Sequence, residues 1–268
     1  MGVVNLTPDS FFAGSRAATV DGAVAAALAL AAQGADLLDV GGESTRPGAV
    51  PVGEDEECGR VLPVIERLAA LTAVPISIDT MKAGVAEAAV AAGASLVNDI
   101  SGGLADTRMA PAAAALAVPV ILGHIQGTPA TMQNSPSYND VLPEIRHALG
   151  ARVAAFVAAG VEREAILVDP GIGFGKRPAD NAAILGGLPA FAALGLPVVL
   201  GVSRKRFLGA FLEEAGLADS GPEGRLEASL AAAVIGAQGG AAIVRVHDVG
   251  ATRRALAVVE GLGSGWQR

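Results

Sequence analysis

Polar and charged side chains recur at the ends of eight short apolar runs in this sequence. In chain order, the run ends carry Asn5, the segment 41–48, Asp79, Asn98 with Asp99, His124 with Gln126, Asp169, the segment 203–205, and Arg245 with His247. At a single run end, an aspartate or asparagine is explained by turn formation alone. Eight such ends meeting on one surface predict a site for a small molecule. Since aromatic residues make up only 3% of the chain, hydrogen bonds and charge must hold that molecule.

Lysine is rare in this chain and is placed close to the run ends. The nineteen basic residues include only three lysines, Lys82, Lys176 and Lys205, and each follows one of the apolar runs. Lysines usually lie on exposed helix faces. Their placement therefore predicts ammonium groups near the site, with chance placement in loops as the alternative.

The apolar runs predict β-strands, and the Ala-, Leu- and Glu-rich segments between them predict helices. Predicted strands are 2–5, 37–41, 76–79, 96–99, 118–124, 165–169, 198–203 and 242–247, and predicted helices include 19–33, 54–71, 140–159 and 224–238. Runs that stay apolar up to their carboxyl ends are typical of parallel strands buried on both faces. Eight such units in 268 residues predict an α/β fold, a (β/α)8 TIM barrel forming a single domain over residues 1–268. A doubly wound open sheet is the alternative, because periodicity does not show closure.

Composition excludes several partners. The net charge is −8 and no basic run exceeds residues 204–206, so we expect no nucleic acid partner. Mean hydropathy is +0.49, but the longest apolar run, 23–32, is half of the roughly 20 residues that a spanning helix needs, so we expect no membrane partner. The single cysteine, Cys58, and a start without signal-peptide features predict a cytoplasmic protein.

The glycine-rich segment 169–176, DPGIGFGK, has neither P-loop nor dinucleotide-binding spacing. Its glycines predict close approach of the backbone to a flat ligand, with Phe174 at the rim.

A zinc hydrolase is another interpretation of four nearby side chains, His124, His247, Asp79 and Asp169. The first run argues against it, because it ends in asparagine rather than in paired histidines.

Seven motifs resemble the dihydropteroate synthases of folate biosynthesis, in the order MGVVNLTPDSF, DVGGESTRPGA, SIDTMK, VNDISGG, DPGIGFGK, GVSRK and RVHDV. The resemblance runs from Met1 to the last predicted helix. It implies a transferase that condenses 6-hydroxymethyl-7,8-dihydropterin pyrophosphate with 4-aminobenzoate, giving 7,8-dihydropteroate and pyrophosphate. It also implies Mg²⁺, a homodimer, and inhibition by sulfonamides that mimic aminobenzoate.

The resemblance also implies a role for each matching residue. The catalytic residues would be Asp79, Asp169, Lys205 and Arg245, and the same four together with Asn98 would bind the pterin. Pyrophosphate would meet Asn5, Thr45, Arg46, Arg245 and His247, with Asn5 as the Mg²⁺ contact. Aminobenzoate would meet Phe11, Thr45, Pro47, Phe174 and Lys205, with residues 45–47 on a loop that orders over the site.

Elementary chemistry is consistent with several of these roles. A pterin presents adjacent N–H donors, which a buried carboxylate such as Asp169 or Asp79 accepts in pairs. Asn98 offers both a donor and an acceptor. Arg245 and His247, two apart on a strand, point to the same side.

The chain departs from the family pattern at three places. Ala13 stands where an acidic residue is usual, Arg206 replaces a serine after SRK, and the chain begins directly at the first predicted strand. Arg206 either forms a forked pair with the aminobenzoate carboxylate or begins the next helix and points to solvent. Two further functions stay open at this point: a pterin-dependent methyltransferase and a non-catalytic pterin-binding paralogue.

Overall fold

Strands and helices alternate along the computed structural model, which describes residues 1–6, 20–46 and 48–265. The strands are β1 (Gly2–Asn5), β2 (Leu38–Gly41), β3 (Ile76–Asp79), β4 (Leu96–Asp99), β5 (Val120–Gly123), β6 (Ile166–Asp169), β7 (Val198–Gly201) and β8 (Ala241–Arg245). The helices are α1 (Val20–Ala32), α2 (Glu54–Leu71), α3 (Ala83–Ala91), α4 (Met109–Leu116), α5 (Val141–Ala158), α6 (Pro178–Gly186), α7 (Pro189–Ala192), α8 (Arg206–Glu214), α9 (Leu226–Gln238) and α10 (Val249–Gly265). Among the described residues, none of the helices is both long and apolar enough to cross a membrane.

The eight strands pair in parallel and in chain order, from β1 to β8. The first and last strands also meet, because Val3 donates its N–H to the carbonyl of Val246 at 3.0 Å, and Val246 donates to the carbonyl of Met1 at 2.9 Å. A sheet whose edges bond to each other is a barrel. The predicted TIM barrel is confirmed, and the open doubly wound sheet is excluded.

Strand bounds agree with the sequence except at a few ends. The strand predicted at 118–124 begins only at Val120, because Pro119 has no N–H to donate to a neighbouring strand. The strand predicted at 242–247 ends at Arg245, so His247 lies just beyond the strand. Glycines that follow helix ends have positive φ angles, as at Gly93 (116°) after α3 and Gly160 (105°) after α5.

Two apolar clusters form the helical layer and the interior of the barrel, and a third, of Ile100, Ile125 and Met132, packs against Met81 and Phe174. The larger lies between the barrel and the surrounding helices. The smaller comes from the amino-terminal ends of the strands and consists of Met1, Leu37, Leu96, Ile121, Val199, Leu167 and Ile243. Side chains two positions apart on a strand share a face. The residues two positions after members of this inner cluster therefore face the interior of the barrel, nearer its carboxyl end.

Candidate active site

A polar layer lies directly above the inner apolar cluster. Each of its members lies two positions further along a strand than a residue of that cluster: Asp39 follows Leu37, Asn98 follows Leu96, Asp169 follows Leu167 and Arg245 follows Ile243. In a TIM barrel the carboxyl ends of the strands form the ligand-binding face. The alternation of each strand thus positions acids, an amide and a guanidinium at the face where a substrate enters.

Arg245 links two carboxylates across the barrel. Its Nε lies 2.6 Å from Oδ2 of Asp39, and its Nη2 lies 2.6 Å from Oδ2 of Asp79. Asn98 donates its side-chain amide to Asp39 at 3.2 and 3.4 Å. Burial disfavours the charge of Arg245, but the two carboxylates outweigh it and raise the pKa of Arg245 above its usual value. Burial raises the pKa of Asp79, and Arg245 opposes that rise.

Asp39 is a site residue that the sequence reasoning did not single out. Its side chain is fully buried, and it is the shared partner of Arg245 and Asn98. The prediction considered the strand ends, whereas Asp39 lies inside β2, between Leu38 and Val40. A charge within a strand buried on both faces is costly unless it is paired. That cost was the signal that could have identified Asp39.

A cavity of about 920 Å³ opens above the polar layer. Nine of the predicted site residues line it: Asn5, Thr45, Arg46, Asp79, Phe174, Lys205, Arg206, Arg245 and His247. Asn98 lies deeper, against Asp39, and Asp169 accepts the N–H of Gly171 at 2.7 Å through Oδ1. Phe11, Pro47 and Ala13 lie outside the described residues.

Lys205 joins the aromatic and acidic sides of the cavity. Its Nζ donates to the carbonyl of Ile172 and lies 4.0 Å from the ring centroid of Phe174, a cation–π contact. Burial lowers the pKa of Lys205 to about 8, and the negative charge of Asp169 limits that fall. Burial raises the pKa of Asp169, while its Gly171 bond and Lys205 lower it. Each group thus favours the charged form of the other against the effect of burial.

The glycines of 169–176 do permit close approach, but to protein atoms. A Cβ on Gly171 would lie 1.8 Å from the carbonyl oxygen of His124, and one on Gly173 would lie 2.8 Å from Cδ of Lys205. Both glycines also have positive φ angles. They let this loop pack against neighbouring strand ends, and close approach to a flat ligand stays a prediction.

Lys176 is held beneath the same loop. It is only 2% exposed, and its Nζ contacts His124 Nδ1 at 3.1 Å, the His124 carbonyl at 3.2 Å and the Phe174 carbonyl at 3.0 Å. Burial lowers the pKa of Lys176 to about 7 and, with the help of Lys176, the pKa of His124 to about 3. At neutral pH His124 is therefore uncharged beside Lys176.

The zinc interpretation finds no support in this geometry. His247 Nδ1 lies 3.1 Å from Ser203 Oγ, and His124 Nδ1 faces Lys176. Across residues 1–6, 20–46 and 48–265, no three His, Cys, Asp or Glu side chains gather as metal ligands would.

Two other predicted positions have mixed outcomes. Arg206 is exposed and begins α8, as the second alternative predicts, and it also lines the cavity, so its pair with the aminobenzoate carboxylate stays a prediction. Lys82 does not line the cavity; it pairs with Glu43, which does. All three lysines thus lie at the carboxyl end of the barrel, two of them at the cavity wall.

Comparison with known proteins assigns the family. The model of the family described as pterin binding enzyme matches residues 1–247. The chain belongs to the pterin-binding enzymes. Among curated relatives of this family, the Bacillus subtilis dihydropteroate synthase is 47% identical over 93% of this chain and 83% of its own length. The Escherichia coli dihydropteroate synthase is 44% identical over 97% and 90%.

Solved structures of pterin-binding enzymes have the same fold. The Xanthomonas albilineans dihydropteroate synthase with 4-aminobenzoic acid has a TM-score of 0.90 and 48% identity, covering 98% of this chain and 92% of that chain. The same enzyme in complex with 7,8-dihydropteroate has a TM-score of 0.87 and 46% identity over the same shares. The resemblance to dihydropteroate synthases is confirmed, and these relatives favour a synthase over a methyltransferase.

Proposed function

We propose that this pterin-binding enzyme condenses 6-hydroxymethyl-7,8-dihydropterin pyrophosphate with 4-aminobenzoate, giving 7,8-dihydropteroate and pyrophosphate. The observation that carries the proposal is the Asp39–Arg245–Asp79 layer beneath a cavity lined by further cations. In the reaction, the carbon–oxygen bond to pyrophosphate breaks, a carbon–nitrogen bond to the amine forms, and the amine loses one proton. Family membership and relatives of the same name support this reaction.

The pterin binds at the polar layer. Its adjacent ring N–H donors match the carboxylates of Asp79 and Asp169, and Asn98 supplies a donor and an acceptor. Lys205, beside Asp169, donates to the ring. Asp39 touches Arg245 and Asn98 and holds both in place.

Departure of pyrophosphate leaves positive charge on the pterin methylene group and its conjugated ring. The fixed carboxylates of Asp79 and Asp169 stabilise that charge, and Arg245 with His247 stabilises the leaving anion. Thr45 and Arg46, at the cavity wall, complete the anion site. Because charge stabilisation suffices, the reaction needs no protein nucleophile.

The proposed Mg²⁺ fits this site as a companion of the substrate. Asn5 ends β1 at the cavity wall and offers one neutral oxygen. Mg²⁺ commonly keeps several waters and binds substrate phosphates rather than an all-protein cage. Asn5 would hold the ion, which neutralises charge on the pyrophosphate when bound.

Aminobenzoate occupies the outer part of the cavity. Phe174, stacked against Lys205, gives its ring a flat neighbour, and Thr45 and Arg206 lie on the same wall. Phe11 and Pro47 keep the role that the resemblance gives them. The amine thus faces the methylene carbon from the solvent side.

The enzyme acts as a cytoplasmic homodimer in this proposal. The adjacent helices α9 and α10 carry exposed Ile235, Val258 and Leu262, which are 47%, 61% and 52% exposed. Burial of these apolar side chains against a second copy of the chain is favourable in water. Sedimentation should show a dimer that Ile235→Asp with Val258→Asp converts to monomer; a monomeric parent protein would contradict it. The single cysteine, which cannot form an intramolecular disulfide, is consistent with the reducing conditions of the cytoplasm.

The deciding experiment is pyrophosphate release by the purified protein with Mg²⁺ and both substrates, with the product identified by mass. A synthase yields pyrophosphate and dihydropteroate in equal amounts, and dihydropteroate only when both substrates are present. Methyl transfer without pyrophosphate would establish the methyltransferase instead. Pterin binding without turnover would establish the non-catalytic paralogue.

A further inference from the structure

The segment after β2 carries Thr45 and Arg46 to the cavity wall, and its first residues are held by contacts with α2. Arg60 of α2 donates Nη1 to the carbonyl of Gly42 at 2.7 Å. A Cβ on Gly42 would lie 2.8 Å from Cγ1 of Val61, so the backbone is pressed against α2. The segment 42–46 is therefore anchored at one end and faces the cavity at the other.

Lys82 provides the second anchor. Its Nζ donates to the carboxylate of Glu43 and, at 2.6 Å, to Oε2 of Glu57 in α2. Lys82 itself is absent from the cavity wall, whereas Glu43 and the three residues that follow it line the wall. One ammonium group thus ties the base of the cavity segment to the outer helix.

The surroundings of this ammonium make the anchor rigid. Glu57 is fully buried, and its Oε1 has no hydrogen-bond partner among the residues that the structure describes. The Glu43 side chain is also buried, at 8% exposed. Burial raises the pKa of Glu57, while Lys82 lowers it. Removing one partner of a buried ion pair leaves an uncompensated charge, so the segment cannot shift away from Lys82 without a large cost.

We propose that Lys82 is a positioning residue, acting through Glu43 on Thr45 and Arg46 to set the affinity for 4-aminobenzoate without touching substrate. This role rests on the proposed function, in which Thr45 contacts aminobenzoate. Small displacements of positioning groups alter rate and affinity strongly, because the bound geometry must be near that of reaction. Pterin binding, which depends on the polar layer below, is expected to be independent of Lys82.

The test compares Lys82→Met, Glu43→Gln and Lys82→Arg with the parent enzyme. The first two variants should raise KM for 4-aminobenzoate about tenfold and leave the Kd of a pterin that lacks the pyrophosphate within about twofold, because Thr45 and Arg46 do not contact the pterin ring. Lys82→Arg, which keeps the charge, should recover most of the loss. Arg67→Met removes an exposed cation from α2, the helix that carries Glu57, and should change neither constant. Equal effects on 4-aminobenzoate and on the pterin that lacks the pyrophosphate, or no effect on either, would overturn the positioning role.

Two further measurements keep the test decisive. Glu43→Gln preserves the Lys82–Glu57 pair, so it carries the test if Lys82→Met fails to fold. The double variant Lys82→Met/Glu43→Gln should be no worse than the worse single variant, because both single variants remove the same Lys82–Glu43 contact; additive losses would contradict the proposal.

Hydrogen exchange gives a readout that needs no turnover. Peptides covering residues 42–50 should exchange faster in Lys82→Met than in the parent, while peptides from α5 should not change. Unchanged exchange at 42–50 would overturn the anchoring role even in an active enzyme. If the parent enzyme released no pyrophosphate, the proposed function would be wrong. The exchange rates at residues 42–50 would still show whether Lys82 anchors the segment.

Discussion

Nη2 of Arg245 lies 2.6 Å from Oδ2 of Asp79, although the two residues are 166 positions apart in the chain. The same guanidinium also reaches the buried Asp39. One residue of the last strand therefore compensates two carboxylates of the second and third strands. The contact of the last strand with the second and third strands and the proposed pterin site depend on the same ion pairs.

Replacing Arg245 by methionine should destabilise the fold as well as abolish activity. Loss of one partner from a buried pair costs about 3 to 5 kcal/mol, because the carboxylates are left uncompensated. The double variant Arg245→Met/Asp39→Asn should regain part of this stability without regaining activity. Urea unfolding measures both effects. Arg253→Met, which breaks an exposed pair with Asp36, is the control and should change stability by less than about 1 kcal/mol; an equal loss there would refute the argument.

Asp169→Asn should lose pterin affinity. An amide cannot accept from two adjacent donors, since it turns one N–H toward them, and such a buried mismatch costs about 1 to 3 kcal/mol. Calorimetry with a pterin analogue should show a Kd raised from about fivefold to more than a hundredfold. Unchanged affinity in a folded variant would remove Asp169 from the site.

The sequence predicted the barrel and most of its polar rim, because strand periodicity and run-end polarity are local signals. It did not reveal Asp39, Glu57 or the pairing of Lys82, because these depend on which strands and helices become neighbours. Arg245 was predicted to face pyrophosphate, and nothing local indicated that two carboxylates would share it. The glycines of 169–176 were recognised, but the atoms they approach were not, since contacts between successive loops appear only in the fold.

Chelation of Mg²⁺ should abolish pyrophosphate release, and Asn5→Ala should raise the Mg²⁺ concentration needed for half-maximal rate by several-fold. Asn5 would supply one neutral oxygen ligand. Its loss should weaken the binding of Mg²⁺ without abolishing it, because substrate phosphate and water can still hold the ion. A Mg²⁺ titration of both proteins measures the shift. Full turnover after chelation would contradict the metal assignment, and identical titrations would contradict Asn5 as the contact.

The rate should fall as pH rises through the pKa of Lys205. Burial lowers this pKa to about 8, so the ammonium is charged below that pH and neutral above it. A neutral amine no longer offers a cation beside Asp169, and kcat/KM for pterin pyrophosphate should decline on the alkaline side. Lys205→Arg stays charged and should show a lower but flat profile up to pH 10. The same alkaline decline in that variant would assign the titration to another group.

Arg206→Ala should weaken aminobenzoate binding selectively. Arg206 begins α8 at the cavity wall, and its exposed guanidinium can reach a carboxylate held above Phe174 and Lys205. An exposed ion pair contributes up to about 1 kcal/mol, so KM for 4-aminobenzoate should rise about fivefold, and KM for pterin pyrophosphate should stay nearly unchanged. The effect should shrink for an aniline that lacks the carboxylate, because the forked pair cannot form. Arg254→Ala, on the exposed face of α10, is the matched control. Equal effects on both substrates, or none on either, would show that Arg206 only begins the helix and faces solvent.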